Sequence, residues 1–301
     1  MYVHGKNLAQ KESHKTKYLD KESRTYLIKI REKYDQWRSD NESLFGPTKE
    51  RSDADHKIIE SRTKLLNTYK NFVDQQHYAE KFDSRSNLHS TVLEEFMYYL
   101  FKDLVASISE NALIGKSHSF KDIFFRASNF NEMIAVPNAL IEIKDHDFSI
   151  GCSVTANMKC KGQEQSEIHN WDIPAVAIEC KTYLDKTMLQ DVSTAAEQLK
   201  QKNQNAMYIV VAEWLKLTES VNLQKYKVDQ IYILRKQKNT DREFRYSEDY
   251  NKNPIYSDVI IHLFEKIRSF LTKDWEKGII HGVSIRRQLA LPIWRQLGLP
   301  D

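Results

Sequence analysis

The sequence of 301 residues lacks the features that mark several large protein classes. It contains three cysteines and no CxxC pair, so neither a disulfide framework nor a structural zinc site is supported, and we expect free thiols. No apolar run approaches the roughly 18 residues that a membrane span needs, and the charged N-terminus has no apolar signal core. We therefore expect a cytoplasmic protein with no membrane partner.

Four common motifs are also missing. The chain has no GxGxxG, GxxxxGK[ST], GxSxG or HExxH, so dinucleotide binding, nucleotide hydrolysis, serine hydrolysis and zincin chemistry have no support. We expect no nucleotide cofactor. The length allows one core domain with additions, and a hydrophobic fraction of 41% is typical of a folded chain.

Positive charge is modest overall and concentrated near the N-terminus. The net charge of +3 permits a polyanionic partner without demanding one. Residues 1–40 carry ten Lys or Arg against six acids, interleaved with Tyr18, Tyr26, Tyr34 and Trp37. Such a mixture is typical of surfaces that follow a phosphate backbone, and equally of a solvated helical face.

The order of predicted elements indicates an α/β protein with three parts. Residues 1–84 read as an N-terminal helical extension for DNA contact or dimerisation, with Leu27 and Ile30 in its apolar stripe. Residues 85–272 form the predicted core, and residues 273–301 a basic C-terminal tail. The core begins with an amphipathic helix, on which Thr91 and Glu94 have the spacing of a capping box.

Short apolar runs predict the strands of this core. Runs 139–143 and 148–154, separated by the polar segment 144–147, predict a β-hairpin. The remaining predicted elements are a buried strand at 175–179, a helix through Leu189 and Leu199, strands at 206–212 and 230–234, and a last helix from Ser257.

The segment that carries chemistry closes the buried strand. Glu179 and Lys181 are two residues apart, so they share a strand face, while Cys180 faces the opposite layer. Asp172 is an odd number of residues from Glu179 and is separated from it by Pro174, so we expect it to approach from a preceding turn or short strand. Two such carboxylates suit Mg²⁺, and a neighbouring lysine can position or deprotonate a water.

Asp172 followed by Glu179-Cys180-Lys181 resembles the signature of the PD-(D/E)xK nuclease superfamily. The flanking elements match its restriction-endonuclease-like αβββαβ core, a mixed central sheet flanked by helices, over roughly residues 87–212. The resemblance implies that Asp172, Glu179 and the Cys180 main-chain carbonyl bind Mg²⁺ and that Lys181 serves the attacking water. It also implies products with a 5′-phosphate and a 3′-hydroxyl.

Several alternatives to this site stay open at this point. Only six residues separate Asp172 from Glu179, so the metal-binding acid could instead be Asp145 or Asp147. A rival Glu-x-Lys triplet occurs at 142–144, but a turn and not a helix is predicted to follow it. Glu94 and Glu95 could also reach the metal, although a capping or solvated glutamate is the simpler interpretation. His169 could contact a phosphate, although a loop histidine is the simpler interpretation.

Within this superfamily, the chain length and the additions around the core favour a Type II restriction endonuclease that cuts double-stranded DNA at a specific sequence. We expect a dimer of identical or related subunits, because cutting both strands needs two active sites. The extension, the segments 162–170 and 236–254 and the tail are the expected DNA contacts. The alternatives are a structure-selective repair or junction nuclease and a non-catalytic DNA-binding subunit with a nuclease-like fold.

Overall fold

The computed structural model describes residues 2–82, 87–217 and 221–275, which form an α/β fold. Four helices come first: α1 (Val3–Glu12), α2 (Lys21–Ser43), α3 (Asp55–Val73) and α4 (Gln76–Lys81). The core then follows as α5 (Thr91–Ile108), β1 (Leu113–Phe125), α6 (Phe130–Ala135), β2 (Ala139–Met158), β3 (Glu167–Leu184), α7 (Lys186–Lys202), β4 (Met207–Leu215), β5 (Gln230–Ile233) and α8 (Ser257–Thr272). Short 3₁₀ turns lie at Leu223–Lys225 and Asn239–Phe244.

The five strands form one mixed sheet in the order β1-β2-β3-β4-β5. The pairs β1–β2 and β2–β3 are antiparallel, whereas β3–β4 and β4–β5 are parallel. The part of the sheet around β4 is buried on both faces, so β4 is apolar along nearly its whole length. The predicted α/β class, the mixed sheet and the helix that follows Lys181 are confirmed.

The N-terminal helices share a hydrophobic core with α5 and α8. Leu27, Ile30, Tyr34 and Trp37, the stripe predicted for α2, are all at most 3% exposed and lie in that core. Their burial confirms the helical periodicity. It also means that Tyr34 and Trp37 cannot reach a phosphate backbone, so that part of the expected DNA surface is wrong.

Glu95 fastens α1 to α5. Its buried carboxylate accepts the backbone N–H groups of His4 and Gly5, at 2.8 and 3.1 Å, near the start of α1. The hydroxyls of Tyr34 and Tyr99 donate to the same carboxylate at 3.0 and 2.7 Å. A carboxylate at a helix N-terminus satisfies donors that have no partner within the helix. The polar residue among the apolar positions of α5 is therefore a structural anchor for α1.

The predicted hairpin at 139–154 is wrong. Residues 139–158 form the single strand β2, and the polar segment 144–147 lies within it, paired with β1. β1 itself was not predicted. The polar segment resembled a turn because Asp147 lines a polar cleft and His146 packs among buried polar residues, so its polar composition does not indicate a turn.

β3 also runs further than its apolar segment, through Pro174 and Asp172. The expected turn or separate short strand at Asp172 is wrong, because Asp172 lies on β3 itself, whereas the expected interruption before Glu179 is a bulge: a register shift opposite Ile150 and Gly151 leaves an extra residue on β3. A bulge tolerates proline in a sheet. Gly151 is needed opposite it, since a Cβ there would lie 2.2 Å from the Ile173 carbonyl oxygen.

The outer part of the sheet closes on itself. β2 pairs through its first half with β1 and through its second half with β3, and β1 also meets β3 in parallel at Ser119 and Asp172. We call β1, β2 and the first part of β3 (residues 167–174) the arm. Asp172 holds the arm closed, because its carboxylate accepts the His118 N–H at 2.7 Å and the Ser153 hydroxyl at 2.6 Å.

The described helices include none with the length and apolar character needed to cross a membrane. Cys152, Cys160 and Cys180 are free thiols, as expected. Most of the basic tail lies outside the described residues, including the cations proposed to contact phosphate: Lys277, His281, Arg286, Arg287 and Arg295.

Candidate active site

Two carboxylates and one lysine meet where β2 and β3 emerge from the buried part of the sheet. The Nζ of Lys181 lies 2.8 Å from Glu179 Oε2 and 3.0 Å from Asp147 Oδ2. Glu179 and Lys181 follow the apolar run of β3, as the sequence predicts, and Asp147 comes from β2. The lysine therefore bridges two acids that are 32 residues apart in the chain.

Strand register brings Asp147 to this point. Phe148 of β2 pairs with Ile178 of β3, so the next residues along the antiparallel strands, Asp147 and Glu179, are neighbours. The Cys180 backbone N–H donates to Asp147 Oδ2 at 2.9 Å, which fixes the carboxylate against β3. The Cys180 side chain is buried in the opposite layer.

A second, fully buried group of polar residues supports Glu179 from behind. The Tyr208 hydroxyl donates to Glu179 Oε1 at 2.9 Å, and His146 Nδ1 lies 3.5 Å from the same oxygen. His146 Nε2 is in turn 2.9 Å from the Ser119 hydroxyl. Glu179 thus presents one oxygen to this group and the other to Lys181, so its orientation is set by both.

Sequence reasoning missed His146 and Tyr208. His146 stands beside Asp147 in the segment that was interpreted as a turn, and Tyr208 stands in an apolar strand where a buried aromatic residue is ordinary. The available signal is the period of two along β4, which directs the Tyr208 side chain to one face of the sheet. That signal cannot identify Glu179 as its partner.

The charges of the cluster are strongly coupled. Burial raises the pKa of Asp147, and the neighbouring negative charge of Glu179 raises it further. Burial alone would raise the pKa of Glu179 as well, but hydrogen bonding from His146 and the Lys181 charge bring it well below its usual range. Although burial disfavours the charged amine, Asp147 and Glu179 together raise the pKa of Lys181. In this state Lys181 is a cation and cannot accept a proton.

Glu94 adds a third acid from α5. Burial, followed by the charge of Asp147, raises the pKa of Glu94 to about 7. It does not form the expected capping box, since the N-cap of α5 is Ser90, which makes no side-chain cap, and Thr91 donates to the Asn87 carbonyl. Glu94 instead faces the same space as Asp147 and Lys181.

An open cleft of about 740 Å³ lies in front of the cluster. Core elements contribute Glu94, Lys116, His118, Asp147, Lys181 and Tyr183 to its walls, and α1 contributes Val3, Lys6, Asn7 and Gln10. The N-terminal helix therefore forms one wall of the cleft. The cations on these walls suit an anionic substrate, and the acids Glu94 and Asp147 line the same space.

The structure does not bring Asp172 into this cluster. Its carboxylate bonds to His118 and Ser153 within the arm. Asp145, the other acid that the sequence left open, pairs with the His118 side chain at 2.6 Å and is more than half exposed. Of the three aspartates that the sequence offered, Asp147 lies beside Glu179 and Lys181.

The remaining sequence candidates lie apart from the cluster. In the rival triplet, Glu142 is exposed and pairs with Lys121 of β1. His169 is on β3 within the arm, 3.5 Å from the Glu167 carboxylate. In the segment 236–254, the Arg242 guanidinium stacks over the ring of Tyr183, 4.3 Å from its centroid, at the edge of the cleft.

The donor set of the cluster fits a hard divalent cation. Glu94, Asp147 and Glu179 supply carboxylate oxygens, and the pKa values of Glu94 and Asp147 are raised first by burial and then by a neighbouring acid. Within the described ranges, no three Asp, Glu, His or Cys side chains converge as a complete ligand set. Mg²⁺ commonly uses one or two carboxylates and keeps several waters, so the pair Asp147 and Glu179 is compatible with it.

Comparison with known proteins relates this chain to restriction endonucleases. The sequence model of the Bpu10I restriction endonuclease family matches residues 85–279, more than half of the chain. A solved structure of the native BbvCI A2B2 tetramer at low resolution is similar in fold, with a TM-score of 0.68 and 18% identity over 91% of this chain and 98% of that chain.

A second solved structure, a complex of the restriction endonuclease PspGI with substrate DNA, is only weakly similar, with a TM-score of 0.29 and 12% identity over 81% of this chain and 92% of that chain. No curated protein matches the chain. The predicted restriction-endonuclease-like fold is confirmed by the first of these two structures.

Proposed function

The chain belongs to the Bpu10I restriction endonuclease family, and from this membership we propose that it is a Type II enzyme that cuts double-stranded DNA at a specific sequence with Mg²⁺. The family implies endonuclease activity. The single observation that carries the finer proposal is the cluster in which Lys181, a cleft-lining residue, bridges Asp147 and Glu179.

We assign the metal to Asp147 and Glu179, with the Cys180 carbonyl as the backbone ligand that the superfamily resemblance implies. Bound Mg²⁺ would supply a Lewis acid for the scissile phosphate and lower the pKa of the attacking water. Asp147 replaces Asp172 in this assignment because it accepts from both Lys181 and the Cys180 N–H. Asp172 then has the structural role of closing the arm.

The other side chains of the cluster have separate roles. Tyr208 and His146 hold Glu179 so that its second oxygen faces Lys181. Lys181, charged in the structure, stabilises negative charge that develops on the phosphate and orients the water through its one remaining N–H donor. The catalytic base is therefore either another group, or Lys181 in a state where Asp147 and Glu179 would bind the metal and no longer pair with it.

The cleft walls suit duplex DNA as the substrate. Lys6 of α1 and Lys116 of β1 line the cleft, where they can neutralise backbone phosphates on either side of the cluster. Gln10 of α1 lines the same space with an amide that can contact base edges. This placement gives the N-terminal helices a role in DNA contact.

Substitution of the two candidate acids tests the assignment. Asp147→Asn should reduce Mg²⁺-dependent plasmid cleavage by well over 100-fold, because even a group that only orients a metal ligand typically contributes about 10- to 100-fold. Asp172→Asn should keep cleavage at a temperature where the variant is folded, and should lower the melting temperature because it weakens the arm closure.

The digest also separates the alternative functions. Discrete fragments indicate restriction, whereas cleavage of branched DNA with no cutting of linear duplex indicates a structure-selective nuclease. Asp122→Asn is the matched control for the aspartate substitutions and should cut as the wild type does, since Asp122 is an exposed aspartate of β1 that does not line the cleft. Normal cutting by Asp147→Asn, or a folded but inactive Asp172→Asn, contradicts the metal assignment.

A further inference from the structure

An arginine–tyrosine stack lies at one edge of the candidate active-site cleft. We use this name for Tyr183, which lines the cleft, together with Arg242 and Arg245 of the segment 236–254. The guanidinium carbon of Arg242 lies 4.3 Å from the centroid of the Tyr183 ring, and that of Arg245 lies 5.8 Å from it. The stack therefore joins a segment outside the sheet to the wall of the cleft.

Contacts with the core hold Arg245 in place. Its guanidinium also lies over the ring of Tyr246, 4.5 Å from the centroid, and that ring packs against buried His89 at 4.9 Å. Just before the segment, the buried Arg235 guanidinium donates to the Asn253 carbonyl at 2.5 Å, which ties the two ends of the segment together. The position of Arg245 is thus set before any ligand binds, which lowers the entropy cost of binding one.

The two arginines of the stack differ in how their charge is balanced. Arg242 is 7% exposed and pairs with the Glu243 carboxylate. Arg245 is half-buried, and it forms no ion pair with an acid in the described part of the chain. Its Nη1 donates to the Arg242 carbonyl, and its buried Nε has no hydrogen-bond partner there. A partly buried cation is costly without a counter-charge, so Arg245 is the group of the stack that lacks an anion.

Tyr183 places a neutral donor beside this cation and close to the catalytic cluster. Its hydroxyl forms no hydrogen bond with the residues that the structure describes. Lys181 and Tyr183 pair with β4 at Ala212 and Trp214, so the two residues lie on the same face of β3. Residues two apart on a strand are separated by about 6 to 7 Å. That separation corresponds to about two nucleotide steps of about 3.4 Å along one strand of a duplex.

We propose that the Arg245 guanidinium and the Tyr183 hydroxyl bind a backbone phosphate of the DNA strand that is cut, one or two nucleotides from the scissile phosphate. This inference rests on the proposed function, because its ligand is the duplex in the cleft. A guanidinium matches phosphate oxygens with paired N–H donors, and tyrosine hydroxyls also donate to phosphates. Such a contact fixes the register of the strand relative to Lys181 and carries no sequence information.

The salt dependence of DNA binding tests this contact. Affinity for duplex DNA is measured with Ca²⁺ in place of Mg²⁺ over a series of salt concentrations. Each phosphate contact made by a cation contributes about 0.9 to the slope of log K against log salt, so Arg245→Gln should reduce the slope by about that amount. Its affinity should fall on the order of 10-fold, the effect of losing one hydrogen bond to a charged group. Arg245→Lys keeps the charge and should keep the slope.

Two further variants complete the test. Tyr183→Phe removes the hydroxyl and keeps the ring, so affinity should fall about 3- to 10-fold at an unchanged slope, because no charge is lost. Arg51→Gln is the matched control, since Arg51 is an exposed arginine that does not line the cleft, and it should bind as the wild type does.

Three outcomes would overturn the inference while leaving the proposed function intact. These are a folded Arg245→Gln with the wild-type slope, an Arg245→Lys that loses as much slope as Arg245→Gln, or a Tyr183→Phe with the wild-type affinity. A wild type that does not bind duplex DNA would contradict the proposed function and this inference together. Circular dichroism melts identify a variant that fails to fold, and the remaining variants of the stack then decide.

Discussion

Tyr208→Phe is the substitution that best isolates the support of Glu179. It removes one hydroxyl from a fully buried side chain and leaves the ring in place. The lost hydroxyl is the donor that lies 2.9 Å from Glu179 Oε1. Of the two contacts of that oxygen, Tyr208 and His146, the substitution leaves only His146, at 3.5 Å. The carboxylate should therefore lose its fixed orientation without leaving the site.

The size of the effect follows from the charge of the acceptor. A hydrogen bond to a charged group contributes about 1.5 to 3 kcal/mol. Because about 1.4 kcal/mol corresponds to a tenfold change in rate, we expect kcat to fall roughly 10- to 100-fold. The KM for DNA should change little, since Tyr208 does not line the cleft.

The pH profile distinguishes orientation from ionisation. The pKa of Glu179 lies well below its usual range, with the His146 contact and the Lys181 charge opposing burial. Loss of one further donor therefore leaves Glu179 ionised near neutral pH. The reduced rate of Tyr208→Phe should not recover between about pH 6 and 9, because the substitution does not change the charge of Glu179 there.

Initial rates of supercoiled plasmid cleavage measure the effect, with Ca²⁺-supported DNA binding as a second readout that should stay at the wild-type level. Tyr232→Phe is the control, since this buried tyrosine on β5 loses a 2.9 Å hydrogen bond to His262 and not to Glu179. The reasoning fails if a folded Tyr208→Phe cuts at the wild-type rate, or if Tyr232→Phe loses as much activity.

Two further predictions concern stability. Burial and Asp147 raise the folded-state pKa of Glu94 to about 7, above its unfolded value, so its contribution is present below pH 4.5 and is lost as pH rises through 7. In EDTA, Glu94→Gln should match the wild type near pH 4.5 and exceed its unfolding free energy by about 3 kcal/mol near pH 8.5; equal values at both pH values would refute this. Gly151→Ala should lower the unfolding free energy in urea by about 2 to 3 kcal/mol, because its Cβ would lie 2.2 Å from the Ile173 carbonyl oxygen, and a loss below about 0.5 kcal/mol would show that the bulge relaxes.

Local sequence patterns predicted much of the fold. The apolar stripe of α2 lies in the core, α7 follows Lys181, and β4 and β5 fall close to their predicted positions. Each of these elements repeats apolar residues with a helical or buried-strand period, so neighbouring residues in the chain carry the information. Glu179 and Lys181 also share a strand face as the period of two requires.

Residues whose environment depends on distant segments were predicted less well. The segment 144–147 is polar because of the cleft and the buried group beside it, and Glu95 is polar because it anchors α1, which is about 90 residues away. Pro174 stays in a strand because a bulge forms opposite Gly151. In all three cases the partner that explains the residue is remote in the chain.

The sequence by itself determined the α/β class, the helical and strand periods of the core, and the pair Glu179 and Lys181 at the end of a buried strand. It favoured Asp172 as the second acid, with Asp145 and Asp147 as alternatives. Tertiary structure decided that Asp147 lies beside Lys181 and that Asp172 closes the arm. The physical reason is that the pairing register of β2 and β3 and the closure of β1 onto β3 are set by contacts between remote segments, whereas local periodicity records only which face of an element is buried.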